Sequence, residues 1–392
     1  MNDNLVVTFN AGSSSLRCGV YCLAEDTPER AYSISIRGLP RQMTLEVVDH
    51  DANTTHESEL PAPGDTPHED AFAAVMDHLE DLIDMAHLRA ASHRVVHGGQ
   101  EFTSPAPVTT DLVNRLDSLS PLAPSHQPHN LRPIRQLAER YPDLAQVACF
   151  DTAFHRSQPR LAQLYALPRD LSEDGILRFG FHGLSYEHIA ETLKRDYPHL
   201  HAGRTIVAHL GHGVSLCALD QGRSVATTMG LTALEGMPMG QRCGSLDPGA
   251  VLHMILDRGI APDELRDMLY QQSGLLGVSG ISGEMADLLA SDAAEAAEAV
   301  SLFVYRFRRE VGSLTAALGG IDGLVLTGGM GEHMPELRQR LCEAVEWQGG
   351  KLDARANRAD GPVISATDSR FKILMLPTDE ENILARAAID LI

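Results

Sequence analysis

Residues 6–21, VVTFNAGSSSLRCGVY, carry an apolar strand into a Gly/Ser turn and out into a second strand. Such a turn offers several backbone N–H groups and the hydroxyls of Ser13, Ser14 and Ser15 to one bound anion, which suits it to holding phosphate. Most Gly/Ser turns only connect strands. This one gains weight because the chain repeats it: residues 205–219, TIVAHLGHGVSLCAL, again run strand, Gly-rich turn, strand, with Ser215–Leu216 where Ser15–Leu16 stand in the first copy. One such hairpin in each half predicts a duplicated fold that grips a polyphosphate from both sides.

Charged side chains stand near comparable turns. Arg94 in HRVVHGG and Arg242 in MPMGQRCG flank glycines or prolines, where backbone approaches a ligand closely, and a guanidinium holds two phosphate oxygens at once. Each could instead be one half of a surface ion pair. His182 follows Phe181 and precedes Gly183 at a helix start, where N–H groups also favour anions. Asp151, in FDTAFH, closes an apolar strand and could orient a nucleophile or metal-bound water. His126, in APSHQPHNL, is placed to begin a helix, as a packing or capping histidine or as a member of a site. The turn GGMGE, Gly328–Glu332, is either a tight strand-to-helix connection or a backbone approach to phosphate.

The elements that must position these groups alternate. Residues 5–47 read as successive strands and residues 53–67 as a polar surface loop. Phe72, Val75, Met76, Leu79, Leu82 and Ile83 recur at helical spacing within 68–88. A helix is expected over 127–140, between strands at 93–97 and 146–150. A second β-rich start at Thr205, helices near 248–257 and 293–318, strands at 323–326 and 372–376, and a final helix over 380–392 complete the pattern. Such alternation favours α/β architecture with helix-covered sheets.

Composition narrows the classes further. A chain of 392 residues can bury two ordinary cores. Its formal net charge of −21 argues against a nucleic-acid or anionic-membrane partner. The start MNDNLVVTFN lacks a basic n-region, and no apolar run approaches the ~20 residues of a membrane span, so a cytoplasmic protein is expected. Cys18, Cys22, Cys149, Cys217, Cys243 and Cys342 form no CxxC pair, which predicts free thiols and no zinc site.

The motifs FNAGSSSL, HRVVHGG, APSHQPHNL, FDTAFH, RFGFHG, HLGHG, MGLTALEGMPMGQRCGSLDP, LTGGMGEH and LPTDEE follow the order seen in acetate kinases and span almost the whole chain. The chain therefore resembles the acetate kinase family, within the acetate and sugar kinase/Hsp70/actin superfamily. The resemblance implies two duplicated ribonuclease-H-like domains around a nucleotide cleft. Residues 1–151 would lie on the acyl-substrate side, 152–379 would bind nucleotide and dimerise, and 380–392 would pack back on the first domain. It implies reversible phosphoryl transfer between ATP and acetate, giving acetyl phosphate and ADP by direct in-line transfer, with Mg2+ (Mn2+ as substitute), in a homodimer.

Family positions then fall on named residues. Arg94, Asp151, His182 and Arg242 match the catalytic set, and Asn10 and Glu380 the magnesium site. Arg94, Val96, Ser125, His126, Phe181 and Ala233 match the acyl side. Ser125 stands where leucine is common, which would widen the pocket toward propionate; its other reading is a helix cap. The nucleotide positions are Arg17, His209, Leu210, Gly211, His212, Gly213, Glu284, Met285, Ala286, Gly328, Gly329, Met330, Gly331 and Glu332. Four of them depart from the family's usual types: His212 replaces Asn, Glu284 and Ala286 stand in an Asp-x-Arg segment, and Arg17 replaces Lys. These departures bear on nucleotide affinity and phosphoryl donor. The alternatives are a propionate or other short-chain acyl kinase, a hydroxyl-substrate kinase with Asp151 as base, and a non-catalytic nucleotide-binding protein of the actin or Hsp70 type.

Overall fold

The computed structural model describes residues 4–12, 15–24, 27–62, 64, 66–124, 126–359 and 361–391. The chain divides into two units, residues 1–154 with 379–392, and residues 155–378.

The sheet of the first unit has the order β5-β4-β3-β2-β1-β6-β8-β7. Its strands are β1 (Leu5–Ala11), β2 (Ser15–Ala24), β3 (Thr27–Arg37), β4 (Thr44–Asp49), β5 (Thr54–Glu59), β6 (Leu88–Val95), β7 (Ala106–Pro107) and β8 (Ala145–Phe150). From β1 to β5 the chain runs as an antiparallel meander, whereas β6 and β8 lie parallel to β1. All seven residues of β1 are buried, as befits a central strand covered on both faces. Strand alternation then sorts its side chains. Val7, Phe9 and Ala11 enter a core with Phe72, Val75 and Leu79 of the helix Pro67–Leu82. Val6 points the other way, against Ala90 and against Ala388 of the C-terminal helix Glu380–Leu391. Asn10 shares that second face.

The second unit has a five-stranded sheet, β11-β10-β9-β12-β13, built from β9 (Arg204–Leu210), β10 (Val214–Asp220), β11 (Arg223–Thr227), β12 (Gly323–Thr327) and β13 (Lys372–Met375). Its order and strand senses repeat those of β3-β2-β1-β6-β8, so the duplication expected from the two hairpins is present as topology. The turns differ in length: pairing runs up to Ala11↔Leu16 in one and Leu210↔Val214 in the other. The helix Ala294–Leu318 buries Ala296, Ala299, Val300, Phe303, Phe307, Val311 and Leu314, a single stripe at helical spacing.

Three local expectations need correction. Residues 54–59, expected within a loop, form β5, an edge strand whose every residue is exposed. With no buried face it shows no hydrophobic alternation and is held by backbone pairing to β4. The helix expected to reach Leu88 ends at Leu82, because Ile83 is extended and the Asp84 carboxylate accepts the Ala86 N–H to start a 3-10 turn. Consequently β6 begins at Leu88 rather than His93. All six cysteines are free, and among the described residues no helix is long and apolar enough to cross a membrane.

Leu384, fully buried on the C-terminal helix, is expected to cost about 2–5 kcal/mol when changed to Ala. His56→Ala on exposed β5 should stay within about 0.5 kcal/mol. Urea unfolding of both variants measures the contrast.

Candidate active site

In the first unit the site residues gather at the carboxyl ends of β1, β6 and β8. Parallel register sets Arg94 opposite Cys149, so Asp151, just past β8, falls beside it. Arg94 donates from Nε to Asp151 Oδ1 at 2.9 Å and from Nη2 to Oδ2 at 2.6 Å, a bidentate fork. Its Nη1 donates to Asn10 Oδ1 at 3.1 Å and lies 3.7 Å from Glu380 Oε2. Asn10 Nδ2 in turn donates to Glu380 Oε2 at 3.1 Å. Burial pulls the Arg94 guanidinium down, but Asp151 and Glu380 outweigh it and hold it above its ordinary value. Four of the expected residues, Asn10, Arg94, Asp151 and Glu380, thus form one cluster.

Two residues that sequence reasoning passed over brace this corner. Gln127 accepts the His97 N–H at 3.1 Å and donates to the His97 carbonyl at 3.0 Å. Asn130 accepts the Val96 N–H at 2.9 Å and donates to the Ala11 carbonyl at 2.5 Å. Both are buried polar groups on the helix Gln127–Arg140, and their signal was a pair of amides inside APSHQPHNL. Val96 is buried. His126 is the N-cap of that helix and makes no side-chain cap bond. Ser125, Ser13 and Ser14 lie outside the described residues, so neither the pocket nor the cap reading of Ser125 has a structural account. Arg17 is exposed on β2, paired across the strands with Asn10.

In the second unit His182 sits at the N-cap of the helix Gly183–Asp196 with φ 61°, a left-handed conformation that costs a non-glycine residue about 1–3 kcal/mol and clusters at functional sites. Its Nδ1 shares a hydrogen bond of 2.8 Å with Ser215 Oγ, which also meets the Tyr186 hydroxyl at 2.5 Å. The ring stacks on His209 with centroids 4.3 Å apart, and His209 Nδ1 meets Ser185 Oγ at 2.8 Å. A β-carbon on Gly213 would come within 2.7 Å of His182 Nε2 and 3.4 Å of Arg242 Nη2, so these two side chains flank one glycine. Arg242 Nη1 donates to the Ala233 carbonyl at 2.8 Å. Among the described residues no carboxylate forms an ion pair with it, and burial, only partly offset by Tyr270, lowers its pKa. Phe181 is buried, its carbonyl bonded to His155 Nε2 at 2.9 Å.

The glycine turns of this unit meet. Gly328, with φ 77°, lies so close to Leu210 that a β-carbon would stand 2.9 Å from its backbone. The GGMGE turn runs straight into the short helix Gly329–His333, stapled by Glu332, whose Oε1 accepts the N–H groups of Gly328 at 2.9 Å and Thr378 at 3.2 Å. Arg338, fully buried, donates to the carbonyls of Gly331 at 3.0 Å and Glu332 at 2.7 Å. Met330 is half-buried, and Gly329 has open space around it. His212 and Glu284, two of the departures, stand 3.8 Å apart as an exposed pair. Ala286 is exposed, whereas Met285 is a core residue.

Two sheets of the same strand order, each opening on a glycine-turn hairpin, define the acetate and sugar kinase/Hsp70/actin class of fold. The sequence matches the Acetokinase family over residues 5–386, and the chain belongs to that family of kinases. It is 48% identical over 392 residues to a protein named acetate kinase from Rhodopseudomonas palustris strain TIE-1, covering 98% of each chain. Its structure resembles a propionate kinase from Francisella tularensis subsp. tularensis SCHU S4 with TM-score 0.90 at 29% identity, over 99% of this chain and 100% of that one. It also resembles the Porphyromonas gingivalis acetate kinase with TM-score 0.83 at 29% identity, over 99% of each.

The two arginines predict unequal stability effects. Arg94→Ala leaves Asp151, 1% exposed, without its counter-ion and should cost about 3–5 kcal/mol. Arg242→Ala removes a desolvated cation and one neutral bond, and should change stability by less than about 1 kcal/mol. Equilibrium unfolding of the two variants side by side tests this.

Proposed function

We propose that the protein transfers the γ-phosphoryl group of ATP to acetate, directly and reversibly, giving acetyl phosphate and ADP. The observation that carries the reading is Arg242. Its guanidinium, beside His182, is bonded to a neutral carbonyl and has no carboxylate among the described residues, so its charge is available to a transferring phosphoryl group. Membership of the acetokinase family supports acetate as acceptor and ATP as co-substrate.

Arg94 contributes a second guanidinium whose plane Asp151 fixes. Both oxygens of Asp151 are engaged by Arg94, which favours an orienting role over proton abstraction. A carboxylate acceptor is ionised at neutral pH and asks for no general base, so the pair suits an acyl acceptor better than a hydroxyl one. Val96, Ser125, His126, Phe181 and Ala233 are the proposed acyl contacts. His209 to Gly213, Glu284, Ala286 and Gly328 to Glu332 are proposed for the nucleotide; buried Met285 supports that segment from the core.

Mg2+ takes few of its six oxygen ligands from protein and keeps several waters. Asn10 and Glu380 offer two such oxygen-bearing groups in contact with one another, and they would hold the metal. A Mg2+ ion held by these two residues would supply positive charge against the phosphate oxygens. Glu381 is different: it is 8% exposed and lies 3.4 Å from Arg30, so its part is structural. The protein is further proposed to work as a homodimer through the second unit. Its helix Pro248–Leu256, PGAVLHMIL, buries no residue and exposes Leu252 and Leu256 at 56% and 75%, an apolar face suited to a second copy.

A hydroxamate assay with ATP, Mg2+ and short carboxylates should detect acyl phosphate from acetate. Arg242→Ala should lower kcat by about 100- to 1000-fold while the fold is kept. A folded variant with near wild-type turnover would remove Arg242 from the mechanism. The similarity to a propionate kinase makes propionate the informative competitor: kcat/KM for the two acids in the wild type and in Ser125→Leu reads whether Ser125 sets chain length.

Glu380→Gln should raise the Mg2+ concentration needed for half-maximal rate, whereas Glu381→Gln should leave it unchanged and lower the melting temperature instead. Titrating activity against Mg2+ in both decides.

A further inference from the structure

We infer that Tyr165, Arg178 and Glu235 form a polar latch that holds Arg242 in position relative to His182; the inference rests on the phosphoryl-transfer reading above. Two stretches of the second unit present the reacting groups: residues 178–182, RFGFH, and residues 229–242, MGLTALEGMPMGQR. Neither contains a full helix or strand over the residues concerned. Their backbone must therefore be held by specific bonds.

The latch supplies them. Arg178 Nη2 pairs with Glu235 Oε1 at 2.8 Å, and its Nη1 donates to the Met229 carbonyl at 3.2 Å. The Tyr165 hydroxyl donates to Glu235 Oε2 at 3.0 Å and accepts the Leu231 N–H at 2.8 Å. The Arg178 guanidinium also lies over the Tyr165 ring, 5.1 Å from its centroid. Each Glu235 oxygen thus has its own partner, and the loop is tied at Met229, Leu231 and Glu235. The Phe179 N–H adds a bond of 3.0 Å to the Gly230 carbonyl. A β-carbon on Gly230 would collide with the Glu235 carboxylate and the Tyr165 hydroxyl, so the latch closes directly over bare backbone.

What the loop delivers is Ala233, whose carbonyl accepts from Arg242 Nη1 at 2.8 Å. The other tied stretch delivers Phe181 and His182. Arg178 and Glu235 are 20% and 35% exposed, and a pair so accessible contributes little to global stability. Its consequence lies in geometry, where a displacement of about 1 Å can cost 100-fold in rate. The three are positioning residues, since none touches the proposed reacting atoms.

Glu235→Gln, Arg178→Gln and Tyr165→Phe in the full chain test the latch by amide hydrogen exchange and by hydroxamate kinetics. The two charge variants should each lower kcat by about 10- to 100-fold while KM for ATP moves less than about twofold. Tyr165→Phe, which removes one hydroxyl, should lower it by about three- to tenfold. The Arg178→Gln/Glu235→Gln double variant should be no slower than the slower single, because both break one device. Exchange over residues 229–242 should quicken in every variant. Unchanged exchange there overturns the latch whatever the activity. Additive losses in the double variant, or a lowered melting temperature with kcat intact, overturn it as well. If exchange responds as expected but the unaltered protein makes no acyl phosphate, the latch stands and the activity reading falls.

Discussion

The bidentate bond between Arg94 and Asp151 is the constraint on which the first unit's site depends. A carboxylate as buried as that of Asp151 is tolerated only with a paired, hydrogen-bonded cation. The sheet provides that partner through register, since β6 and β8 run parallel and end together. Once both Asp151 oxygens are taken, the guanidinium plane is fixed and Nη1 has one direction left, toward Asn10 and Glu380. Asn10 is there because strand alternation turns it away from the Phe9 core, and Glu380 because it opens the C-terminal helix packed on that same face. The cluster thus lies beyond the carboxyl ends of parallel strands, where ligand sites of open α/β sheets are found.

The second unit uses the same strand order with a different charge balance. His182 is held by the neutral hydroxyl of Ser215, which in turn meets Tyr186, and His209 by that of Ser185. Arg242 is held by a carbonyl. Where the first unit neutralises Arg94 internally, the second leaves Arg242 without an ion pair among the described residues. Duplication therefore supplied two scaffolds, and the side chains at the strand ends gave them separate roles. The strained left-handed backbone of His182 fits this division: hydrogen bonding, stacking on His209 and a neighbouring glycine overdetermine its position, so the strain is tolerated.

Some of this was legible in the chain because local and tertiary signals agreed. The helix Gln127–Arg140 lies where it was expected, with His126 at its start, and the two glycine hairpins foretold the repeated sheet. Strand β5 was illegible for the opposite reason: with every side chain exposed, nothing in its pattern reports the backbone pairing that makes it a strand. Arg94 and Arg242 looked alike in sequence, each an arginine beside a turn. What separates them is Asp151, which is 57 residues from Arg94 and reaches it only through sheet register. Gln127, Asn130 and Glu235 were passed over because an amide or carboxylate that braces backbone has no spacing rule. Within residues 284–286 the side chains differ in setting, since the helix turns that of Met285 into the core while its neighbours on either side stay exposed.

The departures at the HLGHG turn follow from the same separation of backbone and side chain. His212 and Glu284, which replace the family's usual Asn and Asp, meet each other at 3.8 Å with side chains 90% and 65% exposed. An ion pair in that setting contributes about 0–1 kcal/mol, too little to shape a turn. The turn is set instead by backbone, the Gly211 N–H donating to the Gly213 carbonyl at 3.0 Å between the last pairs of β9 and β10. The His212 imidazole, with the Glu284 carboxylate beside it, therefore takes no part in fixing where the turn stands. A side chain can change at such a position while the hairpin that positions His209, and through it His182, is left undisturbed.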